Sequence, residues 1–418
     1  MMAPSVRRPR PSRPGKVLVW VVLSLAVIVG IVAINLDGGR LLEERRRVQA
    51  AADAAALAAG ADLYENYWTN HGQDPAGTAR AAAVKSAASN GLPAGAVAVN
   101  IPPRSGTFAG QAGYVEVIIR RDIGATFGRL FTNQDLPVVG RGVARGEPLK
   151  IGLILLAPSG AGAFLNKSLA FTMTNSPIIV NSSDPAAYDQ PTFGVTIASR
   201  YDVTGGYNNS GGALLVGKMR TGVPPTPDPL AFLPIPSTAG APVRSAAPLT
   251  VNSLFPTVLR PGIYQGGIHI KSLSIVLMLP GVYIMQGGGF KVDTLATVTA
   301  LEVMVYNTTS GGYAPGPITV SGNVVMTAPL SGIYQGISLF QDRSLTTPIS
   351  MTGVGLTVLT GVVYAAQAPV SLTGLVAVGL DVLGGAYVVN SLTVQGVGAV
   401  NIDLKLNPPR VPDVRLVE

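Results

Sequence analysis

The spacing of apolar residues changes rhythm three times along this chain. From Val17 to Leu36, twenty residues pass without a charge. At about 1.5 Å rise per residue such a run covers roughly 30 Å, the hydrocarbon thickness of a bilayer, so it predicts a membrane-spanning helix. A cleaved signal peptide is the rival reading of the same stretch. The run exceeds the roughly 7–15 apolar residues of a signal peptide's centre, and no small-x-small cleavage site follows it. From Asp37 to about Tyr64 the rhythm becomes helical: Leu41, Leu42, Val48, Ala52, Ala55 and Ala59 recur at steps of mostly three and four residues and gather on one side. That side is nearly all alanine in its far half, which allows close approach by a neighbouring helix or sheet. Gly38-Gly39 is the expected weak point, a hinge between the membrane helix and the external one. Ala81 to Ser89 continues helical and Asn90-Gly91 marks a turn. The β-branched runs Val97–Ile101, Tyr114–Ile119 and Leu136–Val143 then predict strands.

Beyond Ile151 short aliphatic runs alternate with glycine, asparagine, serine and proline. One phrase returns in variants: Gly262-Ile263-Tyr264, Gly281-Val282-Tyr283, Gly332-Ile333-Tyr334 and Gly361-Val362-Val363-Tyr364, at intervals of 19, 51 and 29 residues. Repetition on this scale predicts a solenoid in which each coil covers the open face of its neighbour. The expected fold class is mainly β: a transmembrane helix continuing into a pilin-like α+β module, then a parallel, right-handed β-helix. An all-β sandwich is the alternative. The expected divisions are a tail at 1–16, the span at 17–36, the α+β module at 37–148 and the β-helix at 149–418. Prolines 224, 225, 227, 229, 234 and 236 interrupt the last part as a stiff crossing loop near 222–243.

Charge fixes an orientation. Arg7, Arg8, Arg10, Arg13 and Lys16 precede the apolar run with no acid among them, whereas Asp37 to Arg47 carries both signs, so the tail is expected in the cytoplasm. The net charge of +8 is concentrated near that anchor: residues 1–150 hold 18 basic and 11 acidic residues, the remainder 12 and 11. The basic excess therefore belongs to the membrane flank and is no sign of nucleic-acid binding. Lack of cysteine removes disulfides and thiolate chemistry together.

The string Asp37-Gly38-Gly39-Arg40, followed by Gln49-Ala50-Ala51-Ala52-Asp53-Ala54-Ala55-Ala56-Leu57-Ala58, resembles the TadE/TadG-like segment of bacterial tight-adherence (Flp) pilus assembly proteins. The resemblance is strong over the first sixty-odd residues, and it extends less closely to Val115–Phe131 and the following LPVVGRGVARG. It implies a single-pass inner-membrane protein with its bulk outside the cytoplasm, in contact with other pilus or secretion-assembly proteins or with itself. The helix residues it marks are Val17, Trp20, Leu36, Asp37, Gly39, Arg40, Gln49, Ala52, Asp53, Ala55 and Leu57. No glycine followed five residues on by glutamate stands at the head of the apolar run, which speaks against a processed pilin. Residues beyond 151 are similar to the β-helical passenger regions attached to some TadG-like proteins.

Parallel β-helices also bind or cleave polysaccharide, so a membrane-anchored glycan-binding or glycan-cleaving protein is the alternative function. Cleavage needs paired carboxylates or a calcium-binding acidic cluster. Beyond Ile151 nine Asp and two Glu are scattered, and Asp342-Arg343 is the sole tight charged pair. Its plainer reading is a polar turn closing a coil. Gly212 to Met219 has phosphate-loop spacing but ends in Met219, which cannot hold magnesium. His71 and His269 join no visible metal cluster. The Asn-x-Ser/Thr triplets at Asn166, Asn181, Asn208 and Asn307 read as left-handed turns. No enzyme activity, cofactor or metal is expected.

Overall fold

The computed structural model describes residues 16–124, 135–149, 152–174, 176–309, 312–353, 357–374, 385–403 and 411–418. The chain divides into two compact units, one of residues 1–147 with 412–418, the other of residues 148–411.

In the first unit, α1 (Lys16–Glu65) is one uninterrupted helix that passes through Gly38-Gly39 without a hinge. The intrahelical bonds on both sides outweigh the roughly 1 kcal/mol per glycine that the pair costs. The part expected to span a membrane is bare: Val17, Leu18 and Trp20 are about 70 % exposed. It is long and apolar enough to cross a bilayer, with mean hydropathy 3.1 over its best window. Further on the helix becomes amphipathic. Val48, Ala51, Ala52, Ala55, Ala56, Ala59 and Leu63 are buried, while Leu42, expected on the same side, faces out.

Two surfaces receive this alanine side. After the short α2 (Tyr67–Asn70), helix α3 (Thr78–Ser89) offers alanines of its own, Ala79, Ala83 and Ala87, at four-residue steps. The other surface is a sheet of β1 (Val97–Asn100), β2 (Tyr114–Ile123), β3 (Leu136–Pro148) and strand Pro412–Leu416. β2 contributes Val115, Val117 and Ile119. β3 adds Val138 and Ala144 and otherwise meets the helix with glycines. A Cβ on Gly140 would stand 2.7 Å from the Val48 carbonyl oxygen, one on Gly142 2.9 Å from that of Ala52, and one on Gly146 2.1 Å from that of Gly60. The helix thus rests on strand backbone, and only small residues on both partners permit it.

The second unit is a β-solenoid of about ten parallel turns over residues 153–396. Three residue rows illustrate its construction. The inward row runs Met219, Tyr201, Ile178, Leu153, Tyr387, Val363, Leu339, Val305, Tyr283, each the parallel neighbour of the next. From Tyr201 to Tyr283 it is buried in the lumen core. A second sheet of five strands (Thr257–Leu259, Ile275–Met278, Thr297–Ala300, Asn323–Met326, Thr357–Leu359) turns Leu259, Met278, Ala300 and Met326 inward. A third face carries the buried row Ile268, Phe290, Ile318, Ile349, Val370 and Leu392.

The coils are not stacked in chain order. The coil at Tyr387–Asp403 pairs on one side with Val362–Gly374 and on the other with Leu153–Leu155 and Phe164–Thr174. The coils of 153–221 grow from this seam towards one end, whereas 243–374 winds in from the other. The chain therefore joins and leaves the solenoid at its middle, where the Leu149 amide donates to the Val411 carbonyl, 2.9 Å.

This arrangement explains the proline-rich stretch. Between Thr221 and Val243 it must return from one end of the stack to the other. Ten rungs at about 4.8 Å stand roughly 48 Å tall. Some twenty residues at no more than about 3.1 Å each reach up to roughly 60 Å, enough to span the stack despite turns at residues 229–232 and 239–240. The stretch is accordingly a strap laid lengthwise on the solenoid, not a loop at one corner. Beneath it the outward row is apolar where a solvated solenoid face would be polar: Ile179, Ile154, Val388, Tyr364, Phe340, Tyr306, Ile284 and Ile263. Leu230, Leu233 and Pro236 of the strap are buried, the first two on a turn in which the Leu233 amide donates to the Leu230 carbonyl at 3.1 Å.

Candidate functional site

Two places bear on function: the polar girdle of the long helix and the Asp342-Arg343 pair. On α1, Gln49 and Asp53 stand one turn apart and face β3. The Gln49 Nε2 donates to the Arg141 carbonyl at 2.7 Å and to the Asp53 carboxylate at 2.8 Å, while the Arg141 amide donates to Gln49 Oε1 at 3.2 Å. A glutamine side chain carries the same donor and acceptor as a peptide group, so Gln49 satisfies both backbone groups of a strand residue that would otherwise face a helix. Arg141 in turn reaches Glu116 at 2.8 Å and Glu418 at 2.7 Å. Burial would raise the fully enclosed Glu116 carboxyl, but hydrogen bonds from Ser105, Arg141, the Arg104 amide and Asn100 outweigh it and hold it at about 2.

The other helix residues fall into clear places. Val17, Trp20 and Leu36 are exposed on the apolar half; Asp37, Gly39 and Arg40 lie within the uninterrupted helix; Ala52 and Ala55 are buried; Leu57 is partly buried against the same core.

Asp342 and Arg343 follow strand Ile337–Gln341 and lie in the turn that closes the coil. Their side chains serve opposite neighbours in the stack. Asp342 accepts from Tyr306 at 2.6 Å and Thr308 at 3.2 Å in the preceding coil, and caps Ser344. Burial opposes its ionised form, yet these bonds hold it below the ordinary aspartate value. Arg343 donates from Nε to the Tyr364 hydroxyl of the following coil at 2.7 Å, and from one terminal nitrogen to the strap carbonyls of Leu230 and Leu233, both 2.9 Å. The Tyr364 hydroxyl donates to Asp228 of the strap at 2.7 Å; burial first, then Asp228, push that phenol well up. The guanidinium also lies over the rings of Phe340 and Tyr364, 5.4 and 5.3 Å from their centroids. Chemically this is a clasp that fastens the strap. Asn181, bonded both ways to Thr226, and Tyr334, bonded to the Pro234 carbonyl, fasten it above and below.

Residues 15–62 match the family model described as putative Flp pilus-assembly TadE/G-like. The comparison with curated proteins and that with solved structures find no match. The TadE/G-like segment thus covers the apolar run and the alanine side of α1 down to Asp62, together with Gln49 and Asp53. Its partners in this chain, the β3 glycines and Arg141, lie outside the matched stretch.

Several sequence readings change in the light of the geometry. The phrase Gly332-Ile333-Tyr334 forms no strand; it is a turn whose tyrosine holds the strap, and the strand of that coil is Ile337–Gln341. Asn166, Asn181, Asn208 and Asn307 have no left-handed backbone; they are placed by side-chain bonds, such as Asn166 to Thr196 at 2.9 Å and Asn307 to the Gly316 carbonyl at 3.0 Å. The Gly212–Met219 run, already set aside as a phosphate loop, enters strand Leu214–Thr221, and no helix follows it. His269 pairs with Asp293 at 2.8 Å. Among the described residues no group of three His, Asp or Glu could hold a metal. The Ala125–Phe131 part of the extended resemblance lies outside the described residues, as does the basic tail before Lys16.

Proposed function

We propose that this chain is a non-enzymatic, membrane-anchored accessory or structural component of a tight-adherence (Flp-type) pilus or a related envelope assembly. Its tail lies in the cytoplasm, Val17–Leu36 crosses the inner membrane, and the solenoid is presented outside. The observation that carries this reading is the coincidence, in one unbroken helix, of the TadE/G-like match with a bare apolar half and a packed alanine half. Such a helix ties the external module rigidly to the membrane. The absence of catalysis is supported by the employment of Asp342 and Arg343, whose polar atoms are engaged by neighbouring coils and the strap. A reporter fused after Glu418 tests the topology and a deletion strain tests the role. Activity only outside the cytoplasm, with loss of surface pili, is the expected result; a cytoplasmic reporter or normal piliation would overturn it.

A polysaccharide-binding module is the second reading. The outward row Thr250, His269, Lys291, Thr319, Ser350, Ser371 and Thr393 favours it, since these polar side chains stand in register along one face. Sedimentation with purified cell wall, abolished by Ser350→Val with Ser371→Val, would support that reading.

A further inference from the structure

Near its far end the strap and the solenoid together border an open cavity of about 380 Å³. Its size lies in the range of ligand pockets. The floor is Ile284 and Val282 of one coil; Pro236 of the strap, Pro261 and Tyr334 form walls; Arg244 stands at the mouth. Apart from Arg244 and the Ser237 hydroxyl, which accepts from the Ala239 amide, the walls offer few hydrogen-bonding groups, because the Tyr334 hydroxyl already donates to the Pro234 carbonyl. That lining suits an apolar body and suits a sugar poorly.

The segments that line it carry exposed apolar residues as well. The sequence neighbours of three lining residues are Ile235, Val243 and Ile333, which are 52 %, 55 % and 59 % exposed. Exposed apolar side chains on the same segments that line an apolar hole suit an interaction surface better than an ordinary solvated one. Arg244 supplies the charge. Its Nε donates to the Pro261 carbonyl at 2.9 Å, which fixes the guanidinium plane, and among the described residues it has no carboxylate in ion-pairing range. A guanidinium held in this way presents its terminal nitrogens to a planar anion.

We propose that this cavity docks an acidic peptide segment of a partner protein: an aromatic or branched aliphatic side chain enters against Val282 and Ile284, and the carboxylate of the adjacent residue pairs with Arg244. The inference is independent of the pilus reading, since it rests on this coil and strap alone.

The test uses the full chain in lipid nanodiscs and the photoreactive probe N-acetyl-(p-azidophenylalanyl)-aspartyl amide, with adducts mapped by mass spectrometry. Adducts are expected at residues 235–244, 282–284 and 333–334. Excess N-acetyl-Phe-Asp amide should displace the probe about fivefold or more better than N-acetyl-Phe-Asn amide, the margin a half-exposed ion pair supplies. Arg244→Met should reduce labelling by a similar factor, and Val282→Trp, which fills the floor, should abolish it while the thermal unfolding curve stays in place. Adducts scattered elsewhere, equal displacement by the Asn peptide, or displacement by oleate in preference to the Asp peptide would overturn the proposal. If Val282→Trp alters the unfolding curve, the Arg244→Met and competitor results decide.

Discussion

Replacing Arg343 by methionine should release the strap. The substitution keeps a flexible apolar stem over Phe340 and Tyr364 but removes three donated hydrogen bonds, two to the carbonyls of Leu230 and Leu233 and one to Tyr364. Hydrogen bonds from a charged group contribute about 1.5–3 kcal/mol each, and a half-buried cation over an aromatic ring about 0.5–1. The three bonds share one side chain and are not additive, so a total loss of about 3–5 kcal/mol is expected. The loss falls on the strap and not on the ladder of coils, whose backbone bonds are untouched. Brief chymotrypsin digestion should therefore cut Arg343→Met near Phe232 and Leu233 at least tenfold faster than the parent, with circular dichroism unchanged. Tyr364→Phe, which loses only the hydroxyl between Arg343 and Asp228, should be intermediate. A parent-like cutting rate in Arg343→Met would refute the clasp and reopen Asp342-Arg343 as a site of chemistry.

Three further outcomes follow from the first unit. Ala55→Arg or Ala52→Glu buries an unpaired charge in the alanine interface and should cost several kcal/mol, read as loss of protease-resistant protein in the membrane. Gly146→Val requires the helix to retreat from a Cβ that would stand 2.1 Å from the Gly60 carbonyl oxygen, and a loss of about 3 kcal/mol or more is expected in the unfolding midpoint. Glu116 has its carboxyl lowered from 4.5 to about 2, so the stability it contributes is fully present above about pH 4.5 and is lost as the pH falls towards 2. The loss should approach roughly 2–3 kcal/mol, and Glu116→Gln should flatten that acid limb of a chemical-denaturation series.

The long helix was legible because its signals are local: a charge-free run, then alanines at helical spacing. What those alanines meet was not legible, because Gly140, Gly142 and Gly146 lie some ninety residues away and their meaning appears only when the strand is laid against the helix. The coil phrase pointed to the solenoid because Gly262, Gly281 and Gly361 each lead into an aliphatic strand of a coil, although its Gly332 copy is a turn. Coil order had no such signature. Any parallel edge can pair with any other, so nothing in Tyr387–Asp403 announces that it inserts between Val362–Gly374 and Phe164–Thr174. The prolines marked a loop near 222–243 in the sequence, but its destination depended on that hidden order. Strand Pro412–Leu416, placed by sequence with the solenoid, joins the sheet of the first unit instead, for the same reason. Asp342 and Arg343 drew notice as adjacent charges; their partners Asp228 and Tyr364 are scattered along the chain.

The proposed function requires the TadE/G-like helix to join this chain to a pilus-assembly machine. Leu42 is the position to probe, being on α1 just beyond the apolar run Val17–Leu36, off the alanine side and 59 % exposed. A photo-crosslinking amino acid placed there in cells, followed by purification of the adducts, reads the neighbour directly. Adducts with inner-membrane or pilin-like components of the tight-adherence machinery, absent when that machinery is deleted, are the result the account predicts. Adducts with lipid alone, unchanged by the deletion, would contradict it.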